Sequence, residues 1–428
     1  MRIALVSLAR QNGCPPIGLV YLATYIKSKL DVEVETIDAN WHDTKHYHQF
    51  YAPWAEKGRY RDFDLVCLSA MTIYYEEAIK LSKDIKKYHP KVPIIIGGVH
   101  ISTMPESFDP EAFDAMVIGE GEKSLEQIIK EYANCGRLLS KVYQNPPIEN
   151  LDDLPRPDWN LVDQRYFDRK ANMTFGEYGI SGVMLTSRGC PYRCRFCATQ
   201  KFWGNKVRFH SAGYVHDLVK DLKLKGVTHI QIWDDLFTIS KKRLTELVKY
   251  QFTLYGLKFN CQPRADLIDD EMCELLKDIG VTTCIFGFES GSDRILRYLK
   301  RDTCTIEDNI RAIKTCHRHG LKVQGSVMLG NPNETLSDMQ DTCDFVKWCV
   351  FMGVQRIWSF VATPFPGTEW WANQNVSECS HQNIDNPLLL DKSVSKKDFK
   401  KIMLKIRRIE NIFKIKKAFS LLRSKWSI

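Results

Sequence analysis

Three cysteines, Cys190, Cys194 and Cys197, stand four and three positions apart in the run RGCPYRCRFC. As thiolates they are soft donors suited to zinc or to an iron–sulfur cluster. Tetrahedral zinc sites and ordinary clusters usually take four protein ligands, so a set of three leaves one coordination position to something else. A zinc site needs a fourth side chain, and the nearest candidate downstream, His210, has poor local spacing. A four-iron cluster needs none: one iron stays open to a substrate atom. Spacing alone leaves both readings open.

The cysteines follow the first of six strand-like runs between about Gly179 and Thr368: ISGVMLTS, HIQIWDD, FNCQPRAD, CIFGFES, LKVQGSVMLG and RIWSFVATPF, separated by helical segments such as GYVHDLVKDLKLKG. Six β/α units are too few for an eight-stranded barrel and predict a partial (β/α)6 barrel. Its carboxyl strand ends would carry the chemistry. Polar residues gather there: Asp234, Arg264, Glu289, Ser290 and Asn331.

Upstream, the runs RIALVSL, VEVETIDA, FDLVCLSA, VPIIIGG and AFDAMVIG alternate with helical patterns. That alternation predicts an α/β fold with a doubly wound, Rossmann-like parallel sheet, which binds ligands beyond its carboxyl strand ends. Glycine-rich or polar turns fall at those ends, at 13–18, 69–74, 97–103 and 119–122, but no GxGxxG is present. The expected organisation is a doubly wound domain over 1–145, a proline-rich linker over 146–170, the partial barrel over 171–375 and a basic helical C-terminal extension over 376–428. The stretch NPPIENLDDLPRPDWNLVD, with four prolines and five acidic residues, resists helix and sheet interiors and is expected to lie along a surface.

The chain has 428 residues, 44% hydrophobic and 26% charged, which suits a soluble globular protein of more than one domain. No apolar run approaches the roughly 18 to 20 residues of a membrane span, and no cleavable signal pattern is seen, so a cytoplasmic location is expected. The fourteen cysteines, scattered apart from the one cluster, read as reduced thiols, with Cys67 and Cys284 in apolar runs as core residues. The net charge is +8, yet residues 392–428 hold thirteen Lys/Arg against two Asp/Glu, a balance of +11, so the remainder sums to −3. In that tail Phe399, Ile402, Met403, Ile406, Ile409 and Phe413 recur at helical spacing among the basic residues. Such a helix can lie on an anionic surface, grip an acidic partner, or cover the barrel with its charged face in water.

The motif Cys190-x-x-x-Cys194-x-x-Cys197 resembles the signature of the radical S-adenosylmethionine enzymes. The resemblance implies a [4Fe–4S] cluster on these three cysteines, whose open iron chelates adenosylmethionine and cleaves it to an adenosyl radical with an electron from a reductant such as ferredoxin or flavodoxin. FGFESGSDRILRYLKRDTC, CQPRAD, VMLGNPNET and ATPFPGTEW resemble later strands of the family in order. They imply that Phe196, Asp234, Arg264, Glu289, Ser290 and Asn331 surround adenosylmethionine, with Arg264 on its carboxylate and Asn331 beside the adenine; Phe196 and Trp203 would pack near cluster and adenine. With PPIGLVYLATYI, GGVHIST and GEGEKSL in the first domain, residues 1–375 resemble the cobalamin-binding subgroup. The implied corrin cradle is Pro16, Gly18, Ser69, Met71, Thr72, Ile73, Tyr74, Gly97, Gly98, His100, Thr103, Gly119, Glu120 and Gly121. No Asp-x-His-x-x-Gly occurs, and His42 lacks its spacing, so no histidine below the cobalt is expected. His100 is expected to hydrogen-bond a corrin amide or to serve the fold.

The resemblance implies C-methylation of an sp³ carbon, consuming two adenosylmethionines per turnover. The alternatives are a cobalamin-dependent cyclase or ring-rearranging enzyme with no methyl group retained, and a non-catalytic iron–sulfur or zinc protein that binds nucleic acid through its basic end. The substrate, whether a peptide or a small natural product, is not legible.

Overall fold

The computed structural model describes residues 1–8, 14–38, 58–168, 171–172, 178–372, 384–385 and 387–425, with the side chains of 168, 171–172, 178 and 413–425 left aside. His42 and the side chain of Phe413 therefore lie outside the described residues. The chain forms two compact units, residues 1–189 with 198–230, and residues 190–197 with 231–428.

In the first unit β1 (Arg2–Ser7), α1 (Ile17–Lys29), β2 (Glu33–Asp38), β3 (Leu65–Ser69), α2 (Tyr75–Tyr88), β4 (Ile94–Gly97), α3 (Val99–Thr103), β5 (Ala115–Val117), α4 (Gly121–Cys135) and β6 (Val142–Tyr143) follow one another. All pairings are parallel and the strand order is β2-β1-β3-β4-β5-β6. This is the doubly wound sheet expected from the alternation of apolar strands and amphipathic helices, and its strand order reverses at β1 and β3, where such folds open a crevice. Val66, Leu68, Ile94 and Ile96 of the central strands bury one face of the sheet against Ala78, Leu81 and Ile85 of α2, which share one helical face. The proline-rich stretch is packed on this unit. Leu151, Leu154, Trp159 and Val162 are buried, Asp158 N–H donates to Thr24 Oγ1 at 2.8 Å, and Arg156 Nε donates to Asp221 at 2.7 Å. The same unit holds β7 (Ser181–Met184), the antiparallel pair β8 (Ser187–Arg188) and β9 (Arg208–Phe209), α5 (Thr199–Trp203), α6 (Ala212–Leu224) and the start of β10 (His229–Ile232).

The second unit continues with β11 (Lys258–Cys261), α7 (Asp270–Ile279), β12 (Val281–Glu289), α8 (Asp293–Lys300), α9 (Ile306–Arg318), β13 (Lys322–Leu329), α10 (Leu336–Phe351), β14 (Arg356–Val361), α11 (Glu369–Ala372) and α12 (Lys396–Lys425). The second sheet has six strands in the order β7-β10-β11-β12-β13-β14, the count read from the sequence, and β11 through β14 pair in parallel. Helix starts are fixed locally: Thr305 with Asp308, and Thr335 with Asp338, form reciprocal capping boxes at α9 and α10. The basic tail is α12. Its residues Phe399, Ile402, Met403, Ile406 and Ile409 are buried where it packs on α10 and β14, and Glu410 accepts from Ser359 N–H at 2.5 Å. No helix among the described residues is long and apolar enough to cross a membrane.

Candidate functional site

In the second unit, residues 190–197 form a short irregular loop whose shape is set by arginines. Arg195 donates its backbone N–H to Leu299 O at 3.0 Å and its Nε to Tyr298 O at 3.0 Å, while its guanidinium lies 4.6 Å from the Tyr298 ring centre and pairs with Glu369. Arg301 Nε donates to Arg193 O at 2.6 Å, and its other end pairs with the same Glu369. The loop is thereby tied to the end of α8 and to the start of α11. Cys190 and Cys194 are half-buried and Cys197 is exposed. Burial pushes the Cys190 thiol up to about 11 and raises that of Cys194 against the pull of Arg264 and Lys300. Among the described residues no three thiol, imidazole or carboxylate groups are gathered as a single metal ion requires. His210, the zinc candidate, belongs to the first unit, where its Nδ1 lies 3.3 Å from Asp152 and its ring stacks 3.8 Å from Tyr214.

The strand-end residues of this unit differ in what they do. Arg264, just after β11, stacks on Tyr192 at 3.6 Å and sends Nη1 to Cys194 Sγ at 3.5 Å. A register shift in β12 turns Glu289, which adopts φ 63°, a left-handed conformation that a non-glycine residue holds only at some cost. Burial raises the Glu289 pKa, opposed by Lys300 and Arg264, and Lys300 itself donates to Gly287 O at 2.6 Å. Ser290 is fully buried and its hydroxyl meets Thr342 Oγ1 at 3.1 Å, tying β12 to α10. Asp234 is buried 3.9 Å from Arg243. Asn331 is buried, donating Nδ2 to Met328 O at 2.9 Å and to Glu334 at 3.1 Å, while Asn331 Oδ1 and Glu334 Oε1 are buried without a hydrogen-bond partner. Phe196 packs with Trp370 and Leu299 in an apolar cluster.

In the first unit a cavity of about 280 Å³ opens at the carboxyl ends of β1, β3, β4 and β5. Of the residues expected to cradle a corrin, Gly18, Ser69, Met71, Gly97, Gly98, Gly119, Glu120 and Gly121 line it. Pro16, Thr72, Ile73, Tyr74, His100 and Thr103 do not. His100 is buried against Tyr75, its ring nitrogens 3.2 Å from Thr72 Oγ1 and 3.0 Å from Ser107 Oγ; burial lowers its pKa to about 4. The imidazole braces the turn after β3 against the one after α3. Gly98 has φ 98°, and a Cβ there would meet Ala70 O at 2.8 Å, so only glycine lets the turn after β4 close on the one after β3.

Sequence reasoning missed much of the wall. Cys67, read as core, is a wall residue, and Leu22, Val99, Leu125, Leu185, Phe202 and Trp203 complete its apolar surface. It also missed most of a buried charge network: of Arg188, Arg208, Glu120 and Glu122, only Glu120 was singled out. Arg188 reaches Glu120 and Glu122 at 2.7 Å each, and Arg208 pairs with Glu120 while donating to Ile148 O at 2.5 Å. All four side chains are about nine-tenths or more buried.

These features fit the expected cofactors. Three thiols in one short loop, with Arg264 and Lys300 acting on Cys194, are a donor set for an iron–sulfur centre. A largely apolar cavity with bare glycine backbone suits a broad planar ligand, and no histidine is among its described lining residues.

The family model of the Radical SAM superfamily matches residues 184–346, and that of the B12 binding domain matches residues 4–129. An uncharacterised methyltransferase of Pyrococcus horikoshii is 30% identical over 376 residues, covering 83% of this chain and 78% of that one. An anaerobic magnesium-protoporphyrin IX monomethyl ester cyclase of Rubrivivax gelatinosus is 26% identical over 372 residues, covering 79% and 64%. Among solved structures, the radical S-adenosylmethionine methyltransferase TsrM from Kitasatospora setae, with cobalamin and a [4Fe–4S] cluster bound, superposes with a TM-score of 0.66 at 20% identity, covering 86% of this chain and 73% of that one.

Proposed function

Because this chain belongs to the radical S-adenosylmethionine superfamily and carries a cobalamin-binding domain, its cofactors are a [4Fe–4S] cluster, S-adenosylmethionine and cobalamin, and we propose that it C-methylates an sp³ carbon. Bound together, these groups would supply one-electron hydrogen abstraction from a substrate carbon and a methyl donor for it.

The chain's own residues divide the work. Cys190, Cys194 and Cys197 hold the cluster. Phe196, Asp234, Arg264, Glu289, Ser290 and Asn331 would surround adenosylmethionine, with Glu289 and Ser290 toward its ribose and amino group. Gly97, Gly98, Gly119 and Gly121 let backbone approach the corrin, Met71 stands exposed on the turn after β3, and Leu22, Val99 and Trp203 exclude water. The observation that carries this reading is the presence, in one chain, of a three-thiol loop and a glycine-walled apolar cavity at parallel strand ends. The relative named a methyltransferase supports it. A one-electron reductant such as ferredoxin or flavodoxin completes the system.

A second reading, ring formation without methyl retention, is favoured by the relative named a cyclase. Methyl-labelled adenosylmethionine separates them without knowledge of the substrate. With the anaerobic holoenzyme and reductant, label appears on the bound cobalamin under the first reading. Label that stays on adenosylmethionine sinks it.

A further inference from the structure

Resemblance assigns Arg264 to the carboxylate of adenosylmethionine, but its guanidinium is engaged elsewhere. Nε donates to Asp266 Oδ1 at 2.9 Å, and Nη2 donates to Thr303 Oγ1 at 2.9 Å and to Thr303 O at 3.3 Å. Nη1 points at Cys194 Sγ, 3.5 Å away. The planar face lies 3.6 Å from the centre of the Tyr192 ring, whose hydroxyl donates in turn to Asp266 Oδ2 at 3.4 Å. The side chain of Arg264 is only 10% exposed and that of Asp266 15%. An arginine stacked on one side, salt-bridged at Nε and bonded at Nη2 has its remaining donor direction fixed. That direction is a sulfur of the cysteine loop.

We propose that Arg264 is a positioning residue for the cluster: it holds a hydrogen bond to the sulfur of Cys194 and thereby raises the cluster's reduction potential. The proposal rests on the reading that Cys194 is a ligand. A free thiol is a weak acceptor, but a ligating thiolate is a stronger one, and a bond from a cationic donor favours whichever oxidation state carries more negative charge. That is the reduced state, so the bond makes the cluster easier to reduce. Asp266, Tyr192 and Thr303 set the aim of the guanidinium without touching the sulfur. Asp266 also offsets part of its charge, which leaves the directed N–H, more than the net charge, as the source of the effect.

The test is an anaerobic redox titration of the reconstituted protein, followed by electron paramagnetic resonance in the absence of adenosylmethionine, for the wild type, Arg264→Gln and Arg264→Lys. The midpoint should move to more negative potential in Arg264→Gln at full iron content, with a smaller shift in Arg264→Lys, which keeps a cation but loses the fork. An unchanged midpoint in both variants, with weakened binding of adenosylmethionine, overturns the proposal and returns Arg264 to the carboxylate. If Arg264→Gln does not hold a cluster, the Lys variant decides alone: no negative shift overturns the proposal. Iron content of Cys194→Ala judges the underlying reading separately, since full iron there would remove Cys194 from the ligand set whatever the midpoints do.

Discussion

Glu334 Oε2 accepts hydrogen bonds from both the backbone N–H and the side-chain amide of Asn331, at 2.8 and 3.1 Å, in the turn after β13. The carboxyl is fully buried, and burial pushes its pKa up to about 8 against the pull of those bonds. An unfolded chain ionises this group near the ordinary glutamate value, about 4.3. Between these values the folded state holds the proton that the unfolded state has released, so stability falls as pH rises. The contribution is whole below about pH 4 and gone above about pH 8. Urea midpoints measured across that range should drop for the wild type relative to Glu334→Gln. Parallel curves for the two proteins would contradict the burial argument.

Arg188 sits between Glu120 and Glu122 with its side chain 6% exposed. Removing one member of a buried charge network leaves the others uncompensated, at a cost of about 3–5 kcal/mol. Arg188→Met should lower the unfolding free energy from urea titration by that order. It should also weaken retention of cobalamin, read from the corrin absorption that survives gel filtration, because Glu120 lines the cavity.

At Gly98 the backbone is in a region that is nearly glycine-only. Gly98→Ala adds about 1–3 kcal/mol of strain, and its Cβ must displace Ala70 O or Ser69 Oγ. The turns after β3 and β4 should part, lowering cobalamin affinity in an equilibrium titration while iron loading of the second unit is unaffected.

Cys197 is exposed, so Cys197→Ala should leave the unfolding free energy from urea titration within about 0.5 kcal/mol of the wild type. Iron and sulfide per chain, and adenosylmethionine cleavage, should fall to background. Full iron content in that variant would exclude Cys197 from the ligand set.

Phe399 is fully buried at the start of α12 and packs on Gly330. Phe399→Ala should cost about 3–5 kcal/mol. A smaller loss in chemical denaturation would mean that the basic tail is only loosely held.

Much of this architecture was legible in the sequence because its signals are local. The apolar runs at β1, β3 and β4 fill central parallel strands, buried on both faces, and the six runs of the second half are its six strands. The cysteine spacing and the glycines at 97–98 and 119–121 mark strand ends without any three-dimensional knowledge. What could not be read depends on partners distant in the chain. Arg188 and Glu120 are 68 residues apart, and neither looks unusual where it stands. Leu22 and Leu125 read as ordinary apolar helix positions, and nothing local distinguishes a core leucine from one that lines a cavity. Arg264 was legible as a strand-end cation, but its aim is set by Tyr192 and Thr303, which no spacing connects to it.

The carboxylate of Glu369 receives Arg195 from within the cysteine loop and Arg301 from beyond α8, and neither contact owes anything to iron. The cysteine loop is thus clamped from both sides by one carboxylate, and a change at Glu369 releases two arginines at once, so a single substitution far from the thiols in sequence reaches the shape of the whole loop.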